Sequence, residues 1–352
     1  MSERFDLQIA HSVAEIGQET WDRLSGTRPY SSYQWHRFCE AALDGDLPVY
    51  ILVFQHGEPV ARATFWLTQQ DPLPISPKIV RTGLQAAFRR WPLLICRTPF
   101  VHISGLILPE SPLCEAALEV IAQAAQQIGK QHKISVLFFD YLKRDETGPL
   151  PWPEGYTSFE MSEPGTHLEI LWPDFEGFLT SLSKSTRRNY RRHMNLAAEL
   201  GIEIKAHSKV SSVDDALALI WNVDLHHDAT PTPCVRSILE NLELIDATWI
   251  TAEIGDRLVG CNLLLGDREV QTLTLLGLDY SVTAEGVEGY AYFPLMYEGV
   301  RHAIEKGARM ARGGSGAYEF KQRLGFQVEQ NYHIAFTTRS PILRRIARWV
   351  AN

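Results

Sequence analysis

Local signals recur in the same order in the two halves of this chain, which favours a fold laid down twice. A glycine turn feeding a strand, HGEPVA at 56–61, is matched by GDRLVG at 255–260. A helix end, AQQIG at 125–129, is matched by AIEKG at 303–307. A glycine-aromatic pair, Gly155-Tyr156, is matched by Gly325-Phe326. The offset drifts from 199 to 178 to 170 residues, as insertions and deletions between two copies would produce. At 352 residues the chain also has the length of two ordinary domains. Two unrelated α+β domains with common turns is the plainer alternative.

The pattern within each half mixes both periods. Alternating runs at 48–54 and 60–67 around Gly57 predict a β-hairpin, and runs at 248–254 and 258–265 around Gly255 predict another. Residues 69–100 carry Pro72, Pro74, Pro77, Pro92 and Pro99 and are expected to be irregular. Helices are expected over 114–129, 175–200, 213–227 and 290–306, with 238–246 continuing helical and Gly201 closing the second. Strands are expected over 134–139, 167–171, 269–278 and near Arg309, and 144–165 reads as a linker rich in proline and glycine.

Composition excludes several classes. There are 34 Lys+Arg against 42 Asp+Glu, a net charge of −8, so a nucleic acid would be gripped only locally. Cys39, Cys96, Cys114, Cys234 and Cys261 are scattered with no CxxC spacing, which argues against a disulfide framework or a structural zinc site. The start, MSERFDLQIA, holds Glu3, Arg4 and Asp6 and does not read as a secretory signal. No uncharged apolar run reaches the roughly 18–20 residues that span a bilayer. A soluble, cytoplasmic protein is the expectation.

The stretch 281–326 is the most informative. A strand runs into AEGVEGYA at 284–291 and then a helix; backbone N–H groups near Gly286, Gly289 and Tyr290 would suit a pyrophosphate, although a tight turn is the plainer reading. Leu295-Met296, Ala303 and Gly307 have the spacing L-L-x(6)-A-x(3)-G of the acetyl-CoA-dependent GNAT acetyltransferases. AYEFKQRLGF at 317–326 resembles the closing motif of that superfamily, with Lys321 where a tyrosine usually stands. The pairing of Phe320-Lys321 with Gly325-Phe326 is similar to the Fem-type branch. So are PYSSYQWHRFCEA at 29–41, STRRNYRRHMNLAAELG at 185–201 and ATPTP at 229–233.

The resemblance, which covers about residues 20–338, implies an α+β fold of tandem duplicated GNAT-like domains. Each would be a twisted mixed β-sheet flanked by helices, at 1–165 and 166–340. The second would carry the active site, and a basic amphipathic helix would follow at 341–352. It implies an N-acyltransferase moving an acyl group from acyl-CoA to a small-molecule amine acceptor, without metal. The alternatives are an aminoacyl-tRNA-dependent aminoacyl transferase and a non-catalytic module that binds a cell-envelope or polysaccharide precursor. In the last case Arg89, Arg90 and Arg97 would supply the surface.

Residue types assign provisional roles. Lys321 is expected to stabilise the tetrahedral oxyanion or the leaving group, and Phe320 to be either a substrate platform or core. Lys184, Arg187, Arg188 and Arg191 share one helix face and would bind a phosphate of the carrier, a CoA phosphate or a tRNA acceptor end. Asn189 and Tyr190 sit within that cluster. Asp279-Tyr280, beside the glycine loop, is a candidate base, and His226-His227-Asp228 offers His227 as a substrate contact but no third metal ligand. PILRRIARWV at 341–350 sets Ile342, Leu343, Ile346, Trp349 and Val350 against Arg344, Arg345 and Arg348. It would either dock on its own domain or touch a membrane surface.

Overall fold

A computed structural model describes residues 5–71, 78–110, 112–143, 150–161 and 163–350. Expectations resting on Glu3, Arg4, Pro72, Pro74 and Pro77, and on the side chains of Ile346, Arg348, Trp349 and Val350, fall outside what it describes. The chain divides into two units, Met1–Pro164 with Gln330–Asn352, and Gly165–Glu329.

The first unit begins with β1 (Asp6–Ala10), α1 (Val13–Ile16), α2 (Gln18–Ser25) and α3 (Tyr33–Ala42). It continues with β2 (Leu47–Gln55), β3 (Glu58–Thr68), α4 (Lys78–Arg90), β4 (Leu93–Cys96), β5 (Leu106–Ile107), α5 (Cys114–Gln131), β6 (Val136–Leu142) and β7 (Thr157–Glu160). Apolar residues at helical spacing in α5 (Leu118, Ile121, Ala125) pack on Val49, Ile51 and Phe65 of one sheet face. The opposite face buries Trp21, Tyr50 and Leu52. There the buried Arg62 guanidinium lies 3.9 Å above Trp21 and donates to the Trp21 and Ser31 carbonyls. The prolines around 69–100 do not keep that stretch irregular. Pro92 sits at the junction of α4 and β4, and all four residues of β4 are buried.

The second unit holds β8 (Thr166–Glu169), α6 (Phe175–Ser181), α7 (Lys184–Glu199), β9 (Ile202–His207), α8 (Val213–His226), α9 (Val235–Glu240) and a 3-10 turn at Leu242–Leu244. Then come β10 (Asp246–Ile254), β11 (Arg257–Asp267), β12 (Val270–Leu278), β13 (Thr283–Ala284), β14 (Val287–Glu288), α10 (Tyr292–Glu305), β15 (Met310–Gly313), α11 (Tyr318–Arg323) and β16 (Gln327–Val328). The single helix expected over 175–200 is broken. Ser183 caps α7 by accepting from Thr186 N, and Arg187 donates to the Thr180 and Leu182 carbonyls that end α6.

The duplication is visible in detail. β2 and β10 are each nine residues long with the same burial order, and β3 and β11 are each eleven. The hairpin register skips at Val53/Phe54 in one and Ala252/Glu253 in the other, the same step along each strand. Both sheets continue into a four-residue parallel pair, β4 with β6 and β12 with β15.

The chain ends in β17 (His333–Thr338) and α12 (Pro341–Val350). β17 lies between β6 and β7, so the first sheet runs β1-β2-β3-β4-β6-β17-β7. The matching place in the second sheet, between β15 and β16, is taken by β8. The first sheet is thus completed by a strand that follows the whole second unit in sequence, whereas β8 opens the unit whose sheet it completes. The second domain therefore stops at Glu329 and not at 340, because the ladder partners of β17 are Phe138, Phe139 and Phe159. Leu343 of α12 packs on the cluster around Phe336, and Arg344 donates to the Thr338 carbonyl, so this end docks on the first unit. Among the described residues no helix is long and apolar enough to cross a membrane.

Candidate functional site

The second unit opens where its parallel pair ends. β12 pairs with β15 only from Val270 to Leu273. Immediately beyond, two residues of β12, Leu275 and Leu276, oppose Asn262 alone, and Leu275 takes φ 46°. This bulge bends β12 away while β15 stops at Gly313. Extended groups entering such a gap can meet backbone that no strand has claimed.

Lys321 stands at the end of β15. Its side chain is buried, 6% exposed, and Nζ donates to Gly314 O at 2.7 Å. Gly313 lies against Thr166, whose Oγ1 a Cβ there would meet at 3.0 Å; the same Cβ would leave Lys321 Nζ in ordinary contact at 3.5 Å. No carboxylate pairs with Lys321 among the described residues, and burial lowers its pKa to about 8. A desolvated cation at the mouth of a gap in the sheet suits a site where negative charge develops.

Phe320 joins an aromatic wall, with ring centroids 5.2 Å from Phe293, 5.4 Å from Tyr292 and 5.8 Å from Tyr297. Facing them on α7 is His193, which sequence reasoning did not single out. It stacks on Phe293 at 4.1 Å, and its Nδ1 lies 2.9 Å from the Tyr297 hydroxyl. The signal was present: Thr186, Tyr190, His193 and Ala197 recur at helical spacing on the inward face of α7. Tyr190 is part of the same wall, edge-on to Tyr297 at 4.8 Å and to Phe175 at 5.9 Å.

The glycine loop is a hairpin. β13 pairs with β14 around Glu285 (φ 49°) and Gly286 (φ 77°), whose left-handed angles make the turn. Tyr290 N donates to Val282 O, Tyr292 N to Gly289 O and Phe293 N to Tyr290 O, and Pro294 has no N–H. Three of the N–H groups around the expected pyrophosphate cradle, those of Tyr290, Tyr292 and Phe293, thus bond within the loop. Gly289 instead lets the Tyr280 ring pass, which a Cβ would meet at 3.2 Å. Gly286→Ala is expected to cost about 1 kcal/mol in stability, because an L-residue resists that φ, and to leave donor affinity unchanged. Equilibrium unfolding and a binding titration on one variant check both.

The basic helix face divides. Lys184, Arg188 and Arg191 are exposed, whereas Arg187 is engaged by α6 and Arg192 pairs with Glu285 at 3.0 Å. Asp279 accepts from Ser281 N and Oγ and lies 3.6 Å from Arg257, so its carboxylate holds the turn together. Tyr280 stacks on His226 at 3.9 Å, while His227 is exposed at the end of α8. The structure thus brings Lys321 and Phe320 together on α11, packs Tyr280 partly buried in the cluster of Tyr290, Tyr292 and Phe293, and leaves His227 exposed at the end of α8. Leu295, Met296 and Ala303, which carried the resemblance, are buried packing residues of α10, and Gly307 (φ 69°) closes the helix.

In the first unit the same place is filled. Past the β4–β6 pair, Arg97 binds Asp71 and lies 3.8 Å from Asp140, whose pKa burial raises to about 6. Arg97 is therefore not the open surface expected of a binding module. Arg90 is exposed at the end of α4, as is Arg89. Among the described residues no three His, Cys, Asp or Glu are grouped to hold a metal ion.

A twice-laid sheet with its parallel pair split by a bulge defines the GNAT transferase fold. The chain belongs to the FemAB-like family, described as peptidoglycan biosynthesis/recognition, whose pattern matches residues 12–352. It is similar to FemX at 12% identity, over 96% of this chain and 99% of that one, with a TM-score of 0.59. A tandem GNAT protein from the clavulanic acid biosynthesis pathway is similar at 10% identity, 96% and 99% coverage and a TM-score of 0.58. A GCN5-related N-acetyltransferase from Sphaerobacter thermophilus is similar at 14%, 97% and 98%, and 0.50. These likenesses are of fold. No curated protein matches the chain.

Proposed function

We propose that the protein is an N-acyltransferase that moves an acyl or aminoacyl group from an activated carrier to an amine, with the chemistry in its second unit. The observation that carries this is Lys321, a buried and unpaired cation at the end of β15 beside the gap opened by the β12 bulge. An amine attacking the donor carbonyl generates an oxyanion, and the Lys321 ammonium would stabilise that charge as it forms. With its pKa lowered to about 8, the Lys321 ammonium would also be acid enough to give a proton to the leaving group.

The carrier we favour is an aminoacyl-tRNA. The N–H groups of Tyr290, Tyr292 and Phe293 bond within their own loop, which weakens the usual reason to place a pyrophosphate there. Exposed Lys184, Arg188 and Arg191 instead present a local cationic strip suited to backbone phosphates, within a chain of net charge −8. Acyl-CoA is the second reading, favoured by the gap between β12 and β15, which suits an extended amide arm. A cell-wall peptide precursor is the acceptor class that the family's description suggests.

Titrating acetyl-CoA and alanyl-tRNA separately tests the choice. The expected result is saturable tRNA binding that weakens steeply with salt, and no saturation by acetyl-CoA; the converse selects the second reading. Transfer from neither donor would favour a recognition module. Arg188→Ala is expected to raise the Kd for the charged tRNA and flatten its salt dependence while turnover at saturation stays nearly intact.

A further inference from the structure

We propose that His193 is the base that takes the proton of the acceptor amine, with Tyr297 as the residue that positions its ring. The proposal rests on the transferase reading above. It starts from geometry within the second unit. His193 is 7% exposed, stacks face to face on Phe293, and spends one ring nitrogen, Nδ1, on the Tyr297 hydroxyl at 2.9 Å. No hydrogen bond engages Nε2 among the described residues. When Nδ1–H donates to the Tyr297 oxygen, the lone pair of Nε2 is the open one.

A second observation points to a ligand beside it. Tyr290, edge-on to His193 at 6.2 Å, has a buried hydroxyl with no hydrogen-bond partner. Buried polar groups are seldom left so unless something else comes to meet them. The walls are aromatic: Phe293, Tyr290 and Phe320 surround the imidazole. Aromatic faces attract an alkylammonium, the form in which an amine acceptor arrives at neutral pH.

The charged and titratable groups facing His193 are few. Arg192 of its own helix is paired with Glu285 from the β13–β14 turn, so the two largely cancel. Tyr190 on α7, Tyr290 just before α10 and Tyr297 on α10 are phenols, and burial pushes the last two further above the usual range. Burial also lowers the His193 pKa to about 4, so the ring is neutral across the ordinary working range.

The step balances. One proton passes from the ammonium to Nε2 and frees the nitrogen lone pair, which forms the new N–C bond at the donor carbonyl. The bond from that carbon to the carrier oxygen or sulfur breaks, and its electron pair leaves with the carrier. The nitrogen has two protons to lose: the first leaves Nε2 for solvent water, and the second, carried by the nitrogen of the tetrahedral intermediate, passes to Nε2 in turn and from there to the carrier atom. The imidazole is then neutral again, and one proton has been released to water. Asp279 and Tyr280, the bases suggested by sequence, are bound into a turn and a ring stack.

The test compares two nucleophiles that differ in their need for a base. Hydroxylamine is largely neutral at pH 7; ethylamine is an ammonium ion. Each is offered to the full chain with acetyl-CoA and with alanyl-tRNA, and acyl transfer is measured. His193→Gln is expected to lower transfer to ethylamine by about 10²-fold, in the range of one general base, and transfer to hydroxylamine by less than about threefold. Tyr297→Phe keeps the packing and is expected to cost about tenfold with ethylamine alone; it carries the test should His193→Gln fail to fold. Equal losses with both nucleophiles, no loss with either, or a wild-type protein that acylates hydroxylamine only would overturn the assignment. A wild-type protein that transfers to neither nucleophile from either donor overturns the transferase reading itself, and this proposal with it.

Discussion

Lys321→Ala is expected to lower turnover by about 10²–10³-fold, the range for loss of one preorganised oxyanion partner. Donor affinity should change little, because the interaction strengthens only as charge develops on the carbonyl oxygen. The effect is large because the cation is buried and held by Gly314 O in a place where water cannot replace it. Arg188→Ala should do the reverse, which separates catalysis from phosphate binding on one assay. Should Lys321→Ala raise KM and spare kcat, this lysine belongs to the binding surface.

The pH dependence of the same residue has two limbs of opposite sign. If the protonated form does the work, turnover falls as pH rises through about 8. Stability moves the other way. The folded pKa lies below the unfolded one, so the unfolded chain binds more protons between about 8 and the ordinary lysine range. Folding is therefore favoured progressively as pH climbs through that window. Activity and unfolding measured across pH 7–10 should show both trends in the native chain and neither in Lys321→Ala.

Glu329→Ala is expected to destabilise the second unit by about 3–5 kcal/mol, the range for removing one partner of a buried ion pair. Glu329 accepts two hydrogen bonds from Arg312, at 2.8 and 2.9 Å, and both side chains are only 6% exposed. Arg312 lies on β15 opposite His167 of β8, and β16 also pairs with His167, so the fork closes the ladder around β8. Replacing both partners by apolar residues of similar size, Arg312→Met with Glu329→Leu, should recover most of the loss. Denaturant unfolding of the single and double variants decides it; a double variant no better than Glu329→Ala would show that the pairing is not what stabilises this ladder.

Much of the architecture could be read from periodicity. The two hairpins announced themselves by alternation around Gly57 and Gly255, and the twofold repeat by the order of its turns. What periodicity misses is anything decided by a distant partner. β4 is only four residues long and follows Pro92, so nothing local marks it as a strand, yet it is central and wholly buried. Neither could a ladder position for β17 be read from HIAFTT, since its neighbours lie at 136–142 and 157–160. The site shows the same limit. A motif pointed to Lys321, whereas His193 sits among four arginines in STRRNYRRH and stands out only through what α10 sets against it. The glycine loop was ambiguous in sequence, because Glu285-Gly286 as a hairpin turn and a phosphate cradle share the same composition, and the structure shows the hairpin.

The late position of β17 in the sequence also sets a timetable. β7 ends at Glu160, but the strand that must lie between it and β6 begins only at His333. During synthesis at about 5–20 residues per second, the slot between β6 and β7 waits open for roughly ten to thirty seconds, with two unpaired edges exposed. Every strand of the second unit emerges within that interval, so the later-encoded half reaches its native sheet first and the earlier one last.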